Sequence, residues 1–230
     1  MRTGRIAIIP ARGGSKRIPR KNIKAFAGKP MIGYAIEAAL ATGVFDHVVV
    51  STDDAEIAEI AVAMRAETPF VRPLDLADDF TPTVPVIAHA IRACQGLGWQ
   101  VEQACCIYPG VPFIEADDIV EAQRLLEKGV APYIFPVTSF PSAIQRALRR
   151  GPDGRVAPFN PEFVNTRTQD LEPAYHDAGQ FYWGAARAWL DGLSIHANGA
   201  SIVLPDWRVV DIDTAADWDR AEAMHRALRP

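Results

Sequence analysis

The segment that indicates the fold is RIAIIPARGGSKRIPRKN, residues 5–22. Residues 5–10 form a short apolar run rich in isoleucine, which is typical of a strand buried within a parallel sheet. A polar loop with two consecutive glycines and several cations follows it. Open α/β sheets bind ligands at loops in this position, just past the end of a strand. The segment therefore predicts an α/β fold with a binding loop after its first strand.

Strand-like and helix-like patterns alternate outward from this segment. Further predicted strands cover residues 47–52, 103–108 and 133–138, and predicted helices cover residues 30–40, 53–66, 83–97 and 115–128. Such alternation predicts a mostly parallel sheet with helices on both faces.

The pattern changes after residue 138. A turn signal, Gly-Pro-Asp-Gly at residues 151–154, separates two short strand-like runs. These runs cover residues 144–148 and 155–157, and the α/β pattern then returns with a strand at 201–204 and a helix at 214–226. We therefore interpret residues 1–138 and 180–230 as one α/β domain. Residues 139–179 form an inserted β-arm that could dock on a second subunit.

Composition excludes several classes of protein. The 230 residues carry 24 Lys and Arg against 28 Asp and Glu, a formal net charge of −4. Nine of the cations precede residue 37, where the first acid occurs, so the N-terminal segment is basic and the rest of the chain is acidic. That asymmetry indicates one site for concentrated negative charge, whereas a general nucleic-acid binder is usually basic throughout. No apolar run approaches the length of a membrane span, and three cysteines form no even framework, so we expect a reduced, cytoplasmic protein.

The glycine-containing loop has the chemistry of a polyphosphate site. Consecutive glycines let backbone N–H groups approach a ligand, and Arg12, Lys16, Arg17, Arg20 and Lys21 add positive charge. The spacing matches neither a Walker A motif nor a dinucleotide fingerprint. By composition alone, a solvated basic loop or a loop for a nucleic-acid backbone remains an alternative.

Longer motifs carry a resemblance to a known family. IIPARGGSK, residues 8–16, and PRKN, residues 19–22, resemble the signature of the CMP-sugar synthetases, which are nonulosonic acid cytidylyltransferases. The same resemblance covers residues 28–31, 50–54, 72–73 and 211–214. Residues 140–147, 166–171 and 175–183 are similar to the branch that acts on pseudaminic acid.

The resemblance implies both a fold and a reaction. The fold would be the Rossmann-like nucleotidyltransferase fold. The reaction would transfer CMP from CTP to the anomeric hydroxyl of a nonulosonic acid, pseudaminic acid above all, and release pyrophosphate. N-acetylneuraminic or legionaminic acid is the alternative acceptor. A sugar-phosphate nucleotidyltransferase and a non-catalytic nucleotide-binding module are more remote alternatives. A homodimer and a role in cell-surface glycan synthesis are also implied.

The resemblance also implies particular site residues. Those at the nucleotide would be Ala11, Arg12, Gly13, Gly14, Ser15, Lys16, Lys21, Asn22, Arg72 and Thr83. Those that act in catalysis would be Arg12, Lys16, Lys21 and Asp211.

Asp211 and Asp213 form a candidate metal site. On a strand, residues two apart share a face, and two carboxylates on one face suit Mg²⁺. From spacing alone, the alternative is that Asp213 or Thr214 caps the last helix while Asp211 is solvated. In the family that the chain resembles, this Asp-x-Asp pair holds the catalytic magnesium.

The acceptor side is indicated by a polar-aromatic cluster. His176, Asp177, Gln180 and Tyr182 suit a sugar face with hydroxyls at its edge, although such aromatics can simply pack in the core. Arg146 and Arg167 could each bind the sugar carboxylate through two hydrogen bonds, or could instead pair with nearby acids. Pro109-Gly110-Val111-Pro112 lacks the hydroxyls that sialic acid enzymes usually carry here, which disfavours a sialic acid substrate.

Overall fold

The computed structural model of the chain describes residues 4–228. Its strands are β1 (Arg5–Pro10), β2 (Ala25–Phe26), β3 (Lys29–Pro30), β4 (His47–Ser51), β5 (Gln103–Ile107), β6 (Tyr133–Ser139), β7 (Leu148–Arg150), β8 (Val156–Pro158), β9 (Tyr175–Asp177), β10 (Phe181–Ala185) and β11 (Gly199–Val203). Its helices are α1 (Ile32–Thr42), α2 (Ala55–Ala63), α3 (Thr83–Gly96), α4 (Ala116–Glu127), α5 (Ala186–Leu190) and α6 (Ala215–Leu228). Within residues 4–228, no helix is both long and apolar enough to cross a bilayer.

A central sheet of seven strands carries the fold, in the order β11-β6-β10-β5-β1-β4, with β9 also paired to β6. β1 pairs in parallel with β4 and β5, and β11 pairs in parallel with β6. β10 runs antiparallel to both of its neighbours, which the sequence pattern did not predict. No α-helix lies between β6 and β10, so the chain re-enters the sheet without the helical crossover that usually joins parallel strands.

Helices cover both faces of the sheet, as the alternating pattern predicts. α1 and α4 pack on one face and α3 and α5 on the other. Side chains alternate between the two cores along each strand, because successive residues of a strand point to opposite faces. The adjacent Cys105 and Cys106 follow this rule: both are fully buried, one in each core.

Two helix starts differ from the sequence pattern. Pro30 was expected to open the first helix, but Lys29–Pro30 forms a short hairpin with Ala25–Phe26, and α1 begins at Ile32. The second helix was expected to start at residue 53. It begins at Ala55, and Asp54 caps it by accepting a hydrogen bond from the Ile57 amide at 3.0 Å.

The predicted arm contains one hairpin. β7 and β8 pair with each other, while the expected strand at 144–148 is a 3₁₀ turn over Ile144–Arg146 before β7 begins. β9 also falls within residues 139–179, yet it pairs with β6 of the central sheet. The arm therefore leaves the sheet after Ser139 and rejoins it at Tyr175.

Candidate active site

A cavity of about 1110 Å³ lies at the carboxyl ends of the parallel strands β1 and β5. Five segments of the chain form its wall. Two of these segments, residues 10–22 and 72–83, contribute some of their residues. The other three, residues 108–111, 176–179 and 209–213, contribute all of theirs. This is the edge at which open α/β sheets bind ligands, because carboxyl ends of parallel strands meet there.

The loop after β1 is tied to the start of α2. The Gly13 amide donates to Asp53 Oδ1 at 3.0 Å, and Arg20 donates to Asp54 Oδ2 at 2.5 Å. The hydrogen bond from Arg20 lowers the pKa of the Asp54 carboxyl to about 2. A Cβ at Gly13 would lie 2.6 Å from Asp54 Oδ2, so only glycine permits this close approach. The loop is therefore held by contacts that leave its other cations available to the cavity.

The cations that face the cavity contact an acidic loop. Arg12 lies 2.6 Å from Asp79 Oδ1, and Lys16 pairs with the other oxygen of the same carboxylate. Arg12 also donates to the Asp78 carbonyl at 2.6 Å. The hydrogen bond from Lys16 holds the pKa of Asp79 below its usual range. Sequence reasoning missed Asp79 as a site residue, although residues 74–82 contain three aspartates.

Lys21 and Arg17 join the loop to the C-terminal segment. Lys21 donates to the Ile212 carbonyl and lies 3.7 Å from Asp213 Oδ1, and Arg17 lies 2.6 Å from Asp213 Oδ2. Lys21 and Ile212 are 191 residues apart in sequence. The cationic loop and the acidic pair thus share one wall of the cavity.

Most of the predicted nucleotide residues line the cavity. They are Arg12, Ser15, Lys16, Lys21, Asn22, Arg72 and Thr83. Ala11 is fully buried, and its amide donates to the Ser51 carbonyl at 2.9 Å. Gly13 and Gly14 shape the loop without lining the cavity.

Arg72 and Thr83 are held by residues at the carboxyl ends of β4 and β5. Arg72 is only 4% exposed and donates from Nε to Ser51 Oγ at 3.1 Å. Its burial lowers the pKa of the guanidinium to about 10, which leaves it charged near neutral pH. Thr83 Oγ1 shares a 2.7 Å hydrogen bond with Tyr108 Oη, and Tyr108 is a wall residue that sequence reasoning missed.

The acidic pair lies on irregular backbone, which corrects the strand expected for Asp211 and Asp213. Ile212 between them is 1% exposed and packs with Phe113 and Trp218. This burial of Ile212 anchors the segment, and both carboxylates line the cavity.

Neither carboxylate caps α6. Thr214 has that role: its Oγ1 accepts from the Asp217 amide at 3.2 Å, and Asp217 accepts from the Thr214 amide at 2.9 Å. Asp217 thus completes a reciprocal cap with Thr214.

Two carboxylates with open access to the cavity are a donor set that fits Mg²⁺, which keeps several waters and uses one or two protein carboxylates beside phosphate oxygens. Residues 4–228 contain no cluster of three or more His, Cys, Asp and Glu side chains arranged for a metal. A magnesium ion held here would therefore depend on Asp211, Asp213 and its phosphate ligand.

The predicted acceptor residues separate into two groups. His176 and Asp177 line the cavity. Gln180 and Tyr182 do not: Gln180 is buried and donates to the Arg208 carbonyl at 2.7 Å, and Tyr182 donates to Asp177 Oδ2 at 2.9 Å. Both residues therefore support residues next to or in the cavity wall without lining the cavity themselves.

Arg146 and Arg167 lie on the arm, away from this cavity. Arg146 donates to Thr168 Oγ1 at 3.2 Å. Arg167 pairs with Asp170 at 2.7 Å, so for Arg167 the structure shows pairing with a nearby acid, the alternative to binding the sugar carboxylate. Gly110, by contrast, lines the cavity, and a Cβ there would lie 3.4 Å from Lys21 Cε.

Comparisons with known proteins agree with this geometry. A family model described as cytidylyltransferase matches residues 6–145. The chain is 42% identical over 222 residues to the pseudaminic acid cytidylyltransferase of Campylobacter jejuni subsp. jejuni serotype O:2, covering 96% of each chain. It is 30% identical over 230 residues to the CMP-N,N'-diacetyllegionaminic acid synthase of Legionella pneumophila, covering 95% of each.

The fold has matches among solved structures. CMP:2-keto-3-deoxy-manno-octonic acid synthetase, solved in complex with CTP, aligns with a TM-score of 0.72 and 17% identity, covering 98% of this chain and 100% of that one. That likeness establishes the nucleotidyltransferase fold alone. Together with the sequence matches across nearly the whole chain, the basic loop and the acidic pair at one cavity, it shows that this chain belongs to the cytidylyltransferase family.

Proposed function

We propose that the protein transfers CMP from CTP to the anomeric hydroxyl of pseudaminic acid and releases pyrophosphate. The observation that carries the proposal is the single cavity in which Lys16 and Lys21, the Asp211 and Asp213 pair, and Asp177 line one continuous wall. The relatives named for pseudaminic and legionaminic acids support a nonulosonic acid as the acceptor.

The cationic loop supplies most of the charge that the reaction needs. Transfer of a nucleotidyl group depends mainly on positioning and on stabilising developing negative charge. Arg12, Lys16 and Lys21 bind and neutralise the triphosphate and the leaving pyrophosphate. The tie between Arg20 and Asp54 keeps the loop in place while they do so.

Asp211 and Asp213 are the groups we assign to Mg²⁺. When bound, the ion would polarise the α-phosphate and orient it. Arg17 and Lys21 balance the charge of Asp213.

The acceptor wall disfavours a sugar phosphate as the acceptor. A sugar-phosphate nucleotidyltransferase needs a further cationic site for the acceptor's phosphate, but this part of the wall presents the carboxylate of Asp177. Legionaminic and N-acetylneuraminic acids are the alternative acceptors. A non-catalytic module would not need carboxylates placed beside the triphosphate.

We also propose that the protein is a homodimer joined through the arm. Leu148, Val156 and Phe159 on the hairpin are 59%, 61% and 56% exposed, an apolar surface that a second subunit would cover.

The reduced, cytoplasmic setting expected from the sequence stays a prediction. The three cysteines are buried and form no disulfide, which is compatible with it.

The experiment is pyrophosphate release from CTP with a panel of acceptors. We expect turnover with pseudaminic acid, and weaker turnover with legionaminic and N-acetylneuraminic acids. A clear preference for N-acetylneuraminic acid would contradict the assigned acceptor, and turnover only with sugar phosphates would contradict the class.

A further inference from the structure

The carboxylate of Asp177 is held by three groups where it enters the cavity wall. The Gly179 amide donates to Oδ1 at 2.7 Å, Tyr182 Oη donates to Oδ2 at 2.9 Å, and His196 Nε2 lies 2.6 Å from Oδ2. An ionised carboxylate accepts only, so Nε2 of His196 carries the hydrogen. A carboxylate has about four acceptor positions, so these contacts leave roughly one for a ligand.

Two of the three donors are fixed by the fold. Tyr182 lies on β10 and is 5% exposed, and its burial raises the pKa of the phenol, so it stays a donor. Gly179 donates through its backbone, in the turn that enters β10.

His196 differs from both. Its side chain is 66% exposed, it belongs to the short 3₁₀ turn His196–Asn198, and it does not line the cavity. Its ring packs edge-on against Phe135 of β6, with centroids 5.3 Å apart. The ring therefore contacts Asp177 from outside the cavity. Nothing in the sequence indicated a role for His196.

We infer that His196 is a positioning residue for the sugar acceptor, acting by fixing Asp177 so that its remaining lone pair accepts a hydrogen bond from a hydroxyl or amide N–H of that sugar. This rests on the proposed function. His196 touches none of the cations at the triphosphate, so its effect falls on the acceptor and spares the nucleotide.

Three variants separate positioning from packing. His196→Phe keeps a ring against Phe135 and removes the donor. His196→Gln replaces the imidazole by a side chain that still carries an N–H donor. Asn198→Ala is the matched control, because the Nδ2 of Asn198 donates only to the carbonyl of Ser194, two residues before the turn, at 2.9 Å.

The test is steady-state kinetics with whichever nonulosonic acid the wild type turns over. We expect His196→Phe to raise the KM for the sugar roughly tenfold, the loss typical of a hydrogen bond to a charged group, and to leave the KM for CTP within about twofold. His196→Gln should recover most of the difference, and Asn198→Ala should resemble the wild type. Adding His196→Phe to Asp177→Asn should cost little more than Asp177→Asn alone, since both act through one contact.

Several results would overturn the inference. An unchanged sugar KM in His196→Phe would do so, as would equal changes in the KM for sugar and CTP, or an Asn198→Ala variant with the same sugar defect. A wild type that turns over no nonulosonic acid would overturn the proposed function itself, and this inference with it.

Discussion

Asp79 contacts the two cations that we assign to the triphosphate, Arg12 and Lys16. The carboxylate and the nucleotide therefore compete for the same positive charge. Asp79→Asn keeps the size of the side chain and removes its charge. We expect it to lower the KM for CTP by about twofold to fivefold, a modest effect because exposed ion pairs are weak.

Asp75→Asn is the control for this variant, because Asp75 lies on the same acidic loop and forms no ion pair with the loop cations in the described part of the chain. A raised KM for CTP in Asp79→Asn would show that Asp79 assists nucleotide binding, contrary to this account.

Asp211 and Asp213 give a second prediction at the scale of single residues. Each Asp→Asn change should lower kcat by roughly 30- to 1,000-fold, a loss of about 2–4 kcal/mol of transition-state stabilisation. The thermal midpoint should change little, because Thr214 and Asp217 hold the helix cap without either residue. Kinetics at saturating Mg²⁺ beside a thermal melt check both statements; full activity in both variants ends the metal assignment.

Local pattern revealed part of this site in advance. The glycines and cations of one continuous loop indicated a phosphate site but left a solvated basic loop as an alternative, and the resemblance to the family decided between them and added Asp211 and Asp213 as metal ligands. Asp79, Tyr108 and His196 could not be predicted, because their roles depend on which distant loops meet at the cavity.

At the scale of elements, strand β10 packs too closely to tolerate a side chain at Gly184. A Cβ there would lie 2.5 Å from Trp189 Nε1 and 2.6 Å from the Tyr133 ring. Gly184→Ala should therefore destabilise the fold by about 1–3 kcal/mol, the usual cost of overpacking a core. Urea unfolding monitored by circular dichroism measures the change.

Gly96→Ala is the matched control. Gly96 is the last residue of α3, and a Cβ there meets nothing within 4 Å. The substitution should be neutral or stabilise by up to about 1 kcal/mol, because it restricts the unfolded chain. Equal stability of both variants would contradict the packing described for β10.

Element types were easier to predict than their details. The apolar runs indicated β1, β4, β5 and β6 because strands buried on both faces have a strong local signal. The direction of β10 was not predictable, since it depends on what connects β6 to it. The irregular backbone at Asp211 reflects the burial of Ile212 against α6, a tertiary contact that spacing does not encode.

At the scale of the whole molecule, the arm predicts the oligomeric state. Sedimentation should give twice the 25.1 kDa mass of the chain. Charges at the exposed hairpin positions, Leu148→Asp with Val156→Asp, should yield monomers, because a charge buried at an interface is costly. Val130→Asp, at an equally apolar site off the arm that is 55% exposed, should remain dimeric. A dimer that survives both arm substitutions would place the interface elsewhere.

The central claim is that this cavity transfers a cytidylyl group to a nonulosonic acid. Its most direct measurement is pyrophosphate formation from CTP and from UTP, each with pseudaminic acid, with the sugar product identified by mass. We expect a CMP-sugar in equal amount to pyrophosphate, and a much higher kcat/KM for CTP than for UTP. Comparable kcat/KM for UTP, or pyrophosphate without a CMP-sugar, would contradict it.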